Sequence, residues 1–262
     1  MMKRSLNFTA ILTITAIVIS GCATVDPIPA EKFNQMKRVG VVSQTADILN
    51  KKYIGITVFG NKTESQNILS WDIDSSYERQ ISKAVRDIFK AEAISIQEKD
   101  AGFQKVNSLN GPYDAQAFWG PNFDAIKEAT LRACQAHALD SIVVAARWKI
   151  EDVIGGTNQS VEGVGIYSRR SGSKAHVFAK VGVMDCKTGK PLTVANLLHP
   201  ETDKEKSFRA RLVVTAANTE IANKPISEWS DLEKENLRRQ FVEMPGQAWE
   251  ATLMRMVPKV AQ

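Results

Sequence analysis

The chain has 262 residues, 44% hydrophobic and 24% charged, the make-up of an ordinary globular protein and long enough for one large domain or a domain with a helical appendage. Its 34 basic and 29 acidic side chains leave a net charge of +5, too small an excess to argue for a nucleic-acid partner.

Residues 1–22 set the address. Met1-Met2-Lys3-Arg4 is cationic, Leu6 to Ile19 is an apolar run, and Ser20-Gly21-Cys22 ends it on small residues. A short charged start, an apolar stretch and a small-residue cut site read as a secretory signal. The run is diluted by Asn7, Thr9, Thr13 and Thr15 and is shorter than the roughly 20 residues of a spanning helix. Ile19-Ser20-Gly21-Cys22 resembles a lipobox, the signature of bacterial lipoproteins. The resemblance implies a diacylglycerol thioether on Cys22, cleavage before it and acylation of the new amino terminus. Two or more acyl chains anchor a protein stably where one does not. The implied partner at this position is membrane lipid. Removal of residues 1–21 leaves 241 residues with a net charge of +3. Ala23, where the lipoprotein sorting rule places aspartate for inner-membrane retention, implies transfer to the periplasmic side of a Gram-negative outer membrane.

Residues 22–35 read as the lipidated tether, since Pro27 and Pro29 and the lack of periodicity predict extended chain with a reach of about 40 Å. Residues 36–199 read as an α/β domain. Lys37–Ser43 and Tyr53–Phe59 are predicted strands, and 61–70 a polar loop. Ile73, Tyr77, Ile81, Ala84 and Ile88 recur at helical spacing and predict a helix from Asp72 to Lys90, with Asp72 and Asp74 suited to its dipole. Ala93–Ile96 is a short predicted strand.

Residues 101–122 form a long irregular connection with Phe103, Tyr113, Phe118 and Trp119, either a plug for the domain's own end or a binding loop. A helix is expected over 122–138 and an apolar strand over 141–148. Val161, Gly163, Gly165 and Tyr167 alternate as in a strand. The fragment Gly163-x-Gly165 precedes strand-like sequence, so its glycines are read as flattening the strand or admitting another backbone. Ala175 to Met184, a turn at 185–190 and Leu192 to Leu198 make a β-hairpin. Residues 200–262 read as a C-terminal helical extension packing on the same domain. Its first part is ambiguous between strand and helix, Ser230 and Glu233 match a capping box, and Pro245 starts a last helix.

The fold class expected is α/β (α+β), a mixed sheet covered by helices, with a β-hairpin and C-terminal helices. Arg38-Val39-Gly40-Val41-Val42, the amphipathic helix before Ala93-Ile94, and the turn Asp185-x-x-Thr188-Gly189-Lys190 resemble periplasmic α/β lipoprotein domains, among them the curli-secretion lipoprotein and the lipoprotein that activates penicillin-binding proteins. That resemblance covers roughly 36–199 and implies action through protein contacts.

Catalytic constellations are not legible. There is no Gly-x-Ser-x-Gly elbow, no His-x-x-x-His or Cys-x-x-Cys metal spacing and no phosphate-cradling loop. Cys134 and His137 share a helix face, where Cys134 reads as a buried free thiol, although pairing with Cys186 in an oxidising periplasm stays open. His176 and His199 fall near the two open ends of the hairpin. No cofactor and no metal are expected. The reading is a non-catalytic interaction or scaffold lipoprotein of the envelope, with an envelope protein as partner. Candidate contacts are Tyr113, Phe118 and Trp119 in the aromatic loop and Arg169 and Arg170 at a basic tip with Lys174. The alternatives are a small-ligand-binding module using 103–123, or an envelope hydrolase with a site dispersed in sequence.

Overall fold

The structure, a computed structural model, describes residues 25–55, 58–96, 123–157, 159–202 and 207–259. Cys22 and the aromatic residues Tyr113, Phe118 and Trp119 lie outside the described residues. The strands are β1 (Arg38–Gln44), β2 (Ile48–Ile54), β3 (Lys62–Asn67), β4 (Glu92–Ser95), β5 (Ser141–Arg147), β6 (Lys149–Glu151), β7 (Ser160–Arg169), β8 (Gly172–Asp185), β9 (Pro191–Asn196) and β10 (Val214–Ala216). The helices are α1 (Ala30–Gln35), α2 (Ile73–Ala84), α3 (Phe123–His137), α4 (Thr219–Asn223), α5 (Asp231–Glu243) and α6 (Gly246–Met254).

These strands form one mixed sheet with two wings that share β8. Along the second half of β8 the order is β4-β1-β5-β8-β9, with β4, β1 and β5 parallel and β8 antiparallel to β5 and β9. Along its first half the order is β3-β2-β7-β8-β10, with β2 parallel to β7 and the other pairs antiparallel. The β1–β2 run also passes from one wing to the other. The expected mixed sheet covered by helices is therefore the observed class.

The crossover between wings is held by buried polar groups. At residues 45–47 the chain leaves the ladder, and its freed N–H groups need acceptors. Asp74 at the start of α2 supplies them. Its carboxylate accepts from Thr45 N at 2.8 Å, Ala46 N at 3.0 Å and the Ser43 hydroxyl. Burial raises the Asp74 pKa, and these hydrogen bonds oppose the rise. So Asp74 serves the crossover, a role that the helix-dipole reading misses. Across from it, Arg147 at the end of β5 pairs with Asp47 at 2.8 Å. The arginine stem runs over the β7 backbone at Gly163, whose φ is +53°, and a Cβ there would come within 2.7 Å of Arg147 Cγ.

The first wing is covered on both faces. Ile73, Tyr77 and Ile81 of α2 meet Val39, Val41, Val143 and Val181, together with Phe241 of α5 and Trp249 of α6. Tyr77 packs on Trp249 with ring centroids 5.3 Å apart, and its hydroxyl donates to Phe241 O at 2.9 Å. Such aromatic side chains bury about 150–250 Å² each, which at roughly 25 cal/mol/Å² contributes on the order of 5 kcal/mol apiece. On the other face, Ile126, Ala129 and Ala133 of α3 cover Ile142 and Val144. That two-sided cover explains why β5 is apolar from Ile142 to Ala146. The second wing has α4 and α5 on one face and a smaller cluster of Trp148, Tyr167, Phe178, Leu198 and Leu212 on the other.

Several expectations are corrected. Residues 26–35 are not a free tether. Ile28 is buried and its N–H donates to Met256 O at 2.8 Å, the Thr193 hydroxyl donates to Asp26 O at 2.5 Å, and 30–35 are helical. The apolar run 53–59 is not the second strand. Pairing with β3 and β7 selects 48–54, Val58–Gly60 is a 3-10 turn, and Lys62–Asn67 within the polar stretch 61–70 is the edge strand β3 and not loop. An edge strand tolerates polar residues because solvent meets one side of it. The helix expected over 72–90 is α-helical over Ile73–Ala84 and a π turn over Val85–Phe89. Residues 200–262 are not all helical, since β10 joins β8, while Trp249, Leu253 and Met256 pack into the main core. The capping box at Ser230 and Glu233 is present as expected.

Cys134 is not a free thiol. It forms a disulfide with Cys186, with Cα atoms 5.5 Å apart. The turn after β8 folds back onto the buried face of α3, bringing together two cysteines that look unrelated in sequence.

Candidate functional site

The outer face of the second wing is polar at its centre. Register places Ser65, Asn50, Gly165, His176 and Val214 in one row across β3, β2, β7, β8 and β10. Gly165 carries no side chain, and the His176 imidazole occupies the space. A Cβ at 165 would sit 2.7 Å from His176 Cε1 and would overlap the Asn50 main-chain oxygen. The glycines flagged in sequence thus admit another backbone and a buried ring. His176 is 1% exposed and stacks on Phe178, with centroids 4.8 Å and planes 26° apart.

Neither His176 nitrogen has a hydrogen-bond partner among the described residues, and neither does Glu162 Oε2. Both side chains line a cavity of about 90 Å³, with Asn50, Lys52, Thr63 and Lys149 around them. That is room for roughly three water-sized groups at ~30 Å³ each. The Lys52 amine donates to Ser160 O at 2.5 Å, and Asn50 Nδ2 approaches Glu162 Oε1 at 3.4 Å. Burial pushes the His176 pKa down to about 4, and Lys52 adds to the fall. The Glu162 main chain and Asp152 oppose it, the former without reaching hydrogen-bond geometry. Burial also lowers the Lys52 pKa, against the attraction of Glu162.

At neutral pH the imidazole is therefore uncharged and offers one donor and one acceptor. Glu162 offers a carboxylate oxygen, and Lys149 an amine. The set suits a small ligand that donates an N–H to Glu162 and the bare imidazole nitrogen and accepts from Lys149. Sequence reading missed this site because its residues come from five segments. The signal that could have found it is the glycine at 165 set against a histidine on the partner strand.

Next to the pocket, Asp152 organises the turn after β6. It accepts from Ile154 N at 2.9 Å, Gly155 N at 2.6 Å, the Thr157 hydroxyl at 2.6 Å and the Tyr167 hydroxyl at 2.5 Å. Burial alone would raise the Asp152 pKa, but these bonds outweigh it and lower it. Tyr167 is pushed up to about 12 by burial and by Asp152.

The basic tip is exposed. Arg169 donates to Gly155 O at 2.8 Å, which ties it to the Asp152 turn, while Arg170 sits in the β7–β8 turn. The structure does not bring these arginines to the His176 pocket. A larger cavity of about 310 Å³ lies by the disulfide, between Lys32, Asp185 and Cys186. Its two carboxylates are satisfied, since Asp185 accepts from Lys32 at 3.0 Å and Asp140 from Lys37 N and Arg38 N. Among the described residues no three His, Cys, Asp or Glu are grouped to hold a metal ion, and no helix is long and apolar enough to cross a membrane.

No family model matches the chain, and no curated protein matches it. Solved structures that align include a PelC dodecamer from Paraburkholderia phytofirmans, at 8% identity and a TM-score of 0.31 over 90% of this chain and 96% of that one. Lipoprotein GNA1162 from Neisseria meningitidis aligns at 12% identity and 0.29, over 73% of this chain and 93% of that one. The hypothetical protein CT253 from Chlamydia trachomatis aligns at 12% identity and 0.24, over 81% and 98%. TM-scores this low establish neither a shared fold nor a shared role.

Proposed function

We propose that this chain is a lipid-anchored protein of the bacterial envelope that acts by binding and not by catalysis. The observation that carries the reading is the Cys134–Cys186 disulfide inside a single globular fold. Disulfides persist in oxidising compartments such as the periplasm and are rare in the cytosol. The signal-like residues 1–21 and the lipobox-like run ending at Cys22 point to the same compartment. The disulfide also removes both cysteines from nucleophilic chemistry, and the means of action in this reading are partner contacts and the His176 pocket. Envelope protein partners and outer-membrane residence belong to the same reading, the latter through Ala23.

The test is Cys22→Ser. The variant should accumulate as a slower-migrating precursor without lipid, and the wild type should float with outer-membrane markers on a sucrose gradient. Processing and membrane retention of the variant would refute the anchor, and co-migration of the wild type with inner-membrane markers would refute the outer-membrane placement.

A further inference from the structure

The way the chain begins its fold fixes which side of the protein meets the membrane. Asp26 is held at β9 by Thr193, and Ile28 is held at the end of α6 by Met256. Val25 already packs against the main core. Four Cα steps separate Cys22 from Asp26, a reach of at most about 14 Å. A folded unit of this size is on the order of 45 Å across. A linker so short compared with the body confines the bilayer to the surface around its point of attachment.

We propose that the edge formed by β9, residues 26–29 and the C-terminal end of α6 is the membrane-facing surface, with the bilayer that holds the Cys22 lipid as its occupant. The proposal rests on the lipoprotein reading. The exposed groups there suit a headgroup layer. Pro27, Pro29 and Met254 are exposed apolar residues. Lys190 lies three residues before Thr193 and Lys259 three after Met256, both exposed. Asp26 is the acid among them. Lysines beside apolar groups at an anionic surface gain from its potential, which acts within about a Debye length, roughly 8 Å at physiological salt.

The β7–β8 tip is elsewhere. Thr193 is opposite Val183 on β8, and Arg169 is opposite Gly172, eleven residues away along that strand. At about 3.3 Å per residue this is up to roughly 36 Å, well beyond the linker's slack. The basic tip of Arg169 and Arg170 is thus at the end remote from the anchor.

The test uses the full lipidated protein in vesicles of phosphatidylethanolamine and phosphatidylglycerol. Lys190→Cys, Lys259→Cys and Arg170→Cys are each labelled with a small fluorophore, and quenching by a lipid spin-labelled at the headgroup is read. Peptide mass mapping verifies the native disulfide and the acyl groups on Cys22. Labels at 190 and 259 should be quenched several-fold more than the label at 170. Equal quenching at all three, stronger quenching at 170, or none at 190 and 259 overturns the orientation while leaving a lipidated Cys22 intact. A mass map without acyl groups on Cys22 would instead remove the lipoprotein reading, and the orientation with it.

Discussion

Removing the disulfide tests the most consequential correction to the sequence reading. The double substitution Cys134→Ala with Cys186→Ala opens a loop of 52 residues that carries β5 to β8. In the chain-entropy treatment, a cross-link across that span restricts the unfolded ensemble by about 14 cal/mol/K, or about 4 kcal/mol at 25 °C. The native contacts around Cys134 change little, since Ala fills most of its place among Ile126, Ala129 and Ile142. For a chain of this size, 4 kcal/mol corresponds to a fall in Tm of roughly 8–16 °C. Urea and thermal denaturation of the oxidised wild type and the double variant measure it. The native circular dichroism should not change, because β5, β8 and α3 are held by their own packing. A loss below about 1 kcal/mol with the disulfide present in the wild type would refute the reasoning, since unfolded-state restriction would then contribute far less than the loop length requires.

His176 should make stability acid-sensitive. Its pKa falls from 6.5 unfolded to about 4 folded, so its contribution is complete above pH 6.5 and is lost as pH drops through that window. Between pH 7 and pH 4.5 the wild type should lose about 2–3 kcal/mol more than His176→Gln, measured by urea titration, and parallel pH profiles would contradict the buried neutral ring. Gly165→Ala should destabilise by about 1–3 kcal/mol, because its Cβ overlaps a fixed main-chain oxygen and displaces the imidazole. A neutral result in chemical denaturation would mean that the His176 row is packed more loosely than described.

The local code of the chain was legible wherever one element states its own case. The alternation from Ala175 to Met184 gives β8, the apolar stripe of Ile73, Tyr77 and Ile81 gives α2, and Ser230 with Glu233 gives the start of α5. Each depends on neighbours within a turn or a strand pair, so the sequence alone determined it. The mixed sheet follows from the order of these elements. The lipobox-like Cys22 depends on contiguous residues and needs no fold to be read.

What tertiary structure decided depends on residues far apart in sequence. Polar Lys62–Asn67 becomes strand because β2 offers it a ladder, and Asp26 is docked because β9 and α6 lie beside it. Cys134 meets Cys186 because α3 lies over the turn after β8. The His176 pocket needs five segments in register, with a glycine opposite the ring. Local propensity holds no information on such juxtapositions. They are set by which apolar faces bury against one another, and the polar groups are carried along to wherever that packing leaves them.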